Sequence, residues 1–115
     1  MKLKVTETIK DGIYYVRPEG TLDYSNKDDL RAHLDVIIDG ANKPKIVMDL
    51  QALEYMSSVG WGVLVDYAVK AKERRGAMVL ARMNDRIGRL YDLMGIRARI
   101  DYCSEIDDTL LQIFK

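Results

Sequence analysis

Ser57 and Ser58 stand side by side in the stretch Asp49-Leu50-Gln51-Ala52-Leu53-Glu54-Tyr55-Met56-Ser57-Ser58-Val59-Gly60-Trp61-Gly62. A serine hydroxyl can serve as an activated nucleophile, accept a phosphoryl group or cap a helix. The catalytic patterns do not fit this stretch. A nucleophile elbow, G-x-S-x-G, needs glycine two residues before the serine, and Met56 occupies that place before Ser58. The phosphate-loop fingerprint is absent, and Gly60-Trp61-Gly62 lacks the third glycine of a dinucleotide turn. His33 is the single histidine, so a Ser-His-Asp site would have to use it and a multi-histidine metal site is excluded. Cys103 is the single cysteine, which rules out an intrachain disulfide and leaves a Cys-based zinc site only one thiolate. The residues therefore indicate no enzyme, no metal and no cofactor. On spacing alone Ser58 reads as a helix N-cap. A helix start is also where free amides and the dipole favour an anion.

The elements around this stretch follow from periodicity. Leu3, Val5 and Ile9 share one face of an alternating strand, with Lys4, Thr6, Thr8 and Lys10 on the other; Glu7 interrupts the apolar face, which suits a sheet edge. Asp11-Gly12 supplies a tight hairpin turn into Ile13-Tyr14-Tyr15-Val16, a second strand that closes at Pro18 and Gly20. Segment 25–39 reads as a helix capped by Ser25 and stopped by Gly40, with Leu30, Leu34, Ile37 and Ile38 as its apolar stripe. Lys45 to Leu50 is a short buried strand, followed by a loop into a helix that starts at Ser58 and ends at Glu73-Arg74-Arg75-Gly76. Ala77 to Ala81 is the next buried strand. Asn84-Asp85 caps a third helix with Ile87, Leu90, Tyr91 and Met94 inside, Ala98 to Tyr102 forms a last strand, and Glu105 to Phe114 a last helix. Strands alternating with helices require a largely parallel sheet covered by helices, so residues 1–115 read as one α/β domain.

Composition narrows the class of function. Lys plus Arg and Asp plus Glu each number 18, and a formal net charge of zero argues against direct nucleic-acid binding. Hydrophobic residues make up 48% and charged residues 31%, an ordinary globular balance. No apolar run reaches the roughly 20 residues needed to cross a bilayer, and the N-terminal segment lacks a secretory core. A cytoplasmic protein with no membrane partner is expected. Arg82, Arg86, Arg89, Arg97 and Arg99 read as a solvated basic face.

The order of elements, together with Asp49-Leu50…Tyr55-Met56-Ser57-Ser58-Val59-Gly60, resembles a STAS domain of the anti-sigma factor antagonist family. The similarity continues through Gly76-Ala77-Met78-Val79-Leu80 and Asn84-Asp85-Arg86-Ile87-Gly88-Arg89-Leu90-Tyr91-Asp92-Leu93-Met94-Gly95-Ile96, and so covers nearly the whole chain. It implies a STAS-like fold: a mixed, mostly parallel sheet with an N-terminal hairpin and about four helices. It also implies a function. The protein would bind a cognate anti-sigma factor, itself a serine-protein kinase, and so release a sigma factor. Phosphorylation at the helix start would end the binding, and a metal-dependent serine phosphatase would reset it. Carried over by motif position, the acceptor is Ser58, with Ser57 as the alternative because serine replaces the family's usual aspartate there. The partner surface so implied takes in Asp23, Ser57, Ser58, Val59, Gly60 and Trp61. The residues leave other readings open. Asp23 also fits an Asx turn or a cap, and Trp61 fits either an exposed anchor or a ring packed in its own domain. A second class of function is a STAS domain that binds a small molecule or nucleotide, or serves as a structural subunit of a larger regulatory or transport complex. There Ser58 is only a cap.

Overall fold

The computed structural model describes residues 3–115; the first two positions of the expected 1–115 domain lie outside the described residues. Strand β1 (Lys4–Lys10) pairs antiparallel with β2 (Ile13–Leu22), Lys10 opposite Ile13 and Lys4 opposite Glu19. The turn between them holds Asp11 at φ 53° and Gly12 at φ 78°, the paired positive angles that match the strands' twist. β1 lies at the sheet edge, where Ile9 stays 60% exposed.

β2 runs on past Pro18 and Gly20, where the sequence reading closed it. The reason lies in its neighbours. β2 pairs with β3 (Lys45–Asp49) through Tyr14–Val16 and with β4 (Leu53–Met56) through Gly20–Leu22. Pro18 falls in the gap between those two ladders, so its missing N–H breaks neither.

β4 is the second departure, since a loop was expected there. Its parallel register on β2 shifts between Gly20 and Thr21, so that Leu53 faces Gly20 and Tyr55 faces Thr21. Glu54 is the extra residue of this bulge. Leu53 and Met56 are consequently both buried although three residues apart.

The helices start where side chains satisfy their free amides. α1 (Lys27–Gly40) starts two residues later than expected, because Ser25 bonds Asp23 rather than the helix, and it includes Gly40. Its stripe of Leu30, Leu34, Ile37 and Ile38 is buried as its spacing requires. α2 spans Ser58–Glu73, β5 Ala77–Ala81 and α3 Asp85–Leu93, the last capped by Asn84 through the Ile87 amide at 2.9 Å. On α3, Ile87 and Tyr91 are buried, but Met94 is 43% exposed, outside the stripe expected of it. A 3₁₀ turn (Ile96–Ala98) delays the last strand, β6, to Asp101–Cys103. α4 shrinks from the expected Glu105–Phe114 to Asp108–Leu111 before a 3₁₀ turn, because Asp107 caps it, accepting from the Thr109 and Leu110 amides.

The sheet order is β1-β2-β3-β5-β6, with β4 on β2. α1, α2 and α3 bury Leu34, Leu64 and Ile87 against Ile46, Met48 and Leu80 on one face. The C-terminal segment covers the other with Leu110 packed on Ile13, Val47 and Val79. This is a mixed, mostly parallel sheet in one α/β domain. No described helix is long and apolar enough to cross a membrane.

Candidate functional site at the junction of β4 and α2

Ser57 and Ser58 carry identical side chains in different settings. Ser57 has an extended backbone, with φ −76° and ψ 172°, and its Oγ accepts the Gly60 amide at 3.4 Å. Its carbonyl accepts the Trp61 amide at 3.1 Å and opens the helical ladder. Ser57 is thus the N-cap that the sequence reading assigned to Ser58. Ser58 is the first helical residue and is exposed. The first turn of α2 holds no acidic residue, so its amide end is open to an anion.

The end of β2 brings Asp23 to this junction. Leu22 lies opposite Met56, and the Leu22 carbonyl accepts the Ser57 amide at 3.0 Å. Asp23 follows directly and forms the Asx-type turn that its residue type allows. Its Oδ1 accepts from the Ser25 hydroxyl at 2.6 Å and the Ser25 amide at 2.9 Å, while its own amide donates to Asn26 Oδ1 at 3.0 Å. The Ser25 hydroxyl, then the Ser25 amide, hold the Asp23 carboxyl below its ordinary pKa, so it is an anion at neutral pH. Buried Asn26 ties this turn to the sheet through the Thr21 carbonyl at 2.7 Å. From the other side, Asn84 Nδ2 donates to the carbonyls of Leu53 and Glu54, at 3.2 and 3.0 Å, and fixes β4 to the start of α3.

Two residues expected on the partner surface do not reach it. Gly60 is buried, and a Cβ there would lie 2.6 Å from Met56 Cγ and 2.9 Å from Leu22 Cγ. The close approach that its glycine permits is to the protein's own core. Trp61 is 0% exposed and packs its ring 5.7 Å from that of Tyr91. Its Nε1 has no hydrogen-bond partner among the described residues. Gly60 and Trp61 face inward, because the first turn of α2 is pressed onto Leu22 of β2 and Met56 of β4. Val59, at 38% exposure, remains on the surface. Sequence reading missed Tyr24, which is 74% exposed, follows Asp23 and has the Lys27 ammonium 4.9 Å from its ring centre. An aromatic in a turn outside any apolar period was the available signal.

Arg82 also departs from expectation, since it does not belong to a solvated face. Its guanidinium closes on the buried carboxylate of Asp49, Nε to Oδ1 at 3.2 Å and Nη2 to Oδ2 at 2.5 Å.

Residues 4–111 match the family model of the STAS domain. The chain belongs to the STAS domain family. Among curated relatives, the anti-sigma F factor antagonist of Paenibacillus polymyxa is 29% identical over 84% of this chain and 82% of its own length. The anti-sigma-B factor antagonist of Staphylococcus aureus is 27% identical over 84% of this chain and 89% of its own. Among solved structures, an anti-sigma factor antagonist from Mycobacterium paratuberculosis superposes with a TM-score of 0.85 at 21% identity, covering 96% of this chain and 93% of that one. The antagonist SpoIIAA in its unphosphorylated form gives 0.77 at 15% identity, over 96% and 95% of the two chains. The Bacillus SpoIIAA structure in the phosphorylated form gives 0.69 at 17%, over 96% and 98%. The STAS fold accounts for the six strands and four α-helices among the described residues.

Proposed function

We propose that this STAS domain is an anti-sigma factor antagonist. It docks on an anti-sigma factor with serine kinase activity through the β4–α2 junction, and phosphorylation of Ser58 ends the contact. The observation that carries the reading is the exposed Ser58 on the first residue of α2, one position beyond a serine already used as cap. Relatives named as antagonists of anti-sigma factors, and the existence of SpoIIAA in a phosphorylated form, support it. Ser57 is the poorer acceptor, because its Oγ holds the Gly60 amide and it is half-buried.

In this reading Ser58 Oγ attacks the γ-phosphorus of ATP held by the kinase. The hydroxyl proton passes to a base of the kinase, and ADP leaves. The Asp23 carboxylate, kept ionised by Ser25 on the turn that follows Leu22, helps to orient the partner's machinery. The new group brings about −1.5 to −2 charges. The open amides of α2 tolerate it within the domain, so the fold persists. The partner does not tolerate it, since charge and bulk now stand within its docking surface. A penalty of about 3 kcal/mol weakens binding by about two powers of ten. A metal-dependent serine phosphatase returns the hydroxyl by hydrolysis. The chain is the substrate of phosphoryl transfer and catalyses no step of it.

Mass spectrometry of the protein isolated from its native cells under phosphatase inhibition tests the acceptor. Tryptic peptide 46–70 contains both serines, and its fragments separate them. Phosphate is expected on Ser58; phosphate on neither serine overturns the switch. In pull-downs from the same cells, Ser58→Ala retains the kinase and Ser58→Asp loses it. Equal retention by both overturns the proposed docking surface.

A further inference from the structure

The C-terminal segment leaves one end of the sheet's outer face open. At the carboxyl end of β3 a cleft of about 300 Å³ lies between Thr6, Thr8, Tyr15, Arg17, Asp49 and Arg82, on the sheet face opposite α2. The β1–β2 register puts Thr6 opposite Arg17 and Thr8 opposite Tyr15, so these four side chains share that face. Glu7 also borders the cleft, but it stands opposite Val16 on the helix side, where its carboxylate is 3.9 Å from His33 Nδ1.

The donors of this cleft outnumber its acceptors. Asp49 is 5% exposed, and both its oxygens are engaged without Arg17: Oδ1 accepts from Arg82 Nε and from the Gln51 amide at 3.1 Å, Oδ2 from Arg82 Nη2. Arg17 Nη1 stands 3.8 Å from Oδ2, near enough for attraction and too far for a hydrogen bond. A guanidinium carries five N–H donors. Two of those on Arg82 meet Asp49, and none on Arg17 meets an acceptor among the described residues. Two cations thus share the buried Asp49 carboxylate, and Arg82 alone holds hydrogen bonds to it. Glu105 is the further carboxylate whose field reaches Arg82. A group that completes this cleft would supply acceptors to the free donors of Arg17, in a geometry that suits its flat fork.

We infer that the cleft binds a small anion through a carboxylate or phosphate group, held by Arg17 and assisted by Arg82. The inference is independent of the phosphorylation reading, because it uses neither Ser58 nor α2. Its test is a titration of the full chain followed by two-dimensional amide NMR, with sodium phosphate in one arm, citrate in a second and sodium chloride at matched ionic strength in a third. Saturable shifts at Thr6, Thr8, Arg17 and Arg82 are expected with phosphate or citrate and not with chloride; which anion saturates identifies the group recognised. Arg17→Gln weakens that binding about tenfold or more, the loss of a charge-assisted contact, and moves the urea midpoint little, since Arg17 makes no hydrogen bond to Asp49. Glu105→Gln tightens it. Shifts that stay linear in both anion arms, or an Arg17→Gln variant that binds as the parent does, overturn the proposal.

Discussion

The Ser57 Oγ accepts the Gly60 amide at 3.4 Å, whereas the exposed Ser58 hydroxyl caps nothing. Alanine at the two positions therefore has opposite consequences. Ser57→Ala removes the N-cap and lowers stability by about 1 kcal/mol. Ser58→Ala changes it by less than about 0.5 kcal/mol. Urea unfolding of both variants measures the difference, and a larger loss at Ser58 would reverse the assignment of cap and acceptor. Gly60 gives a second prediction at this scale. A methyl there meets Met56 Cγ at 2.6 Å and Leu22 Cγ at 2.9 Å, both on flexible side chains that can shift at some cost. Gly60→Ala should cost about 1–3 kcal/mol, the usual range for overpacking. Gly76→Ala should cost more, because its methyl would lie 1.9 Å from the Pro44 carbonyl oxygen, and a backbone atom cannot swing aside. The same urea series ranks them, and equal midpoints would show that the chain at Pro44 yields.

Among the elements, α1 and α2 are joined by a polar contact as well as by their apolar faces. The Tyr67 hydroxyl on α2 donates to the Asp35 carboxylate on α1 at 2.5 Å. Burial first, and then this carboxylate, push the Tyr67 pKa from 10.0 up to about 12. Because the folded value lies above the unfolded one, the neutral phenol is the form that folding favours. The stabilisation is complete below pH 10 and is lost as pH rises from 10 towards 12. Urea midpoints taken across that range should fall more steeply for the parent than for Tyr67→Phe, and parallel curves would count against the coupling. Hairpin, the first three helices and the central strands could be read from local pattern, since Leu30, Leu34, Ile37 and Ile38 recur with the helical period and Asp11-Gly12 supplies the turn's positive angles. β4 could not. Its inward residues are Leu53 and Met56, three apart because the ladder to β2 carries a bulge, and no alternation of two announces such a strand.

For the whole molecule, 18 acidic and 18 basic residues give a formal charge of zero, so one phosphate takes the chain to about −2. The modified protein should elute later from an anion-exchange column while keeping its far-ultraviolet dichroism. Loss of that dichroism would mean that the charge acts by unfolding α2 and not by repelling a partner. Location matters more than the sum, because exposed charges are screened beyond roughly 8–10 Å. The amino-acid sequence by itself determined the alternation of strands and helices, and hence the parallel sheet. It also placed the Ser57-Ser58 pair at a helix start, because periodicity and capping act over a few neighbouring residues. Tertiary structure alone decided which serine caps α2, that Asp23 sits beside it, that Trp61 and Gly60 lie beneath the surface, and that Arg82 closes on Asp49. Each of these rests on contacts between distant segments: Leu22 with Ser57, Trp61 with Tyr91, Asp49 with Arg82. Such contacts exist only once β2, β3, β4 and β5 lie side by side.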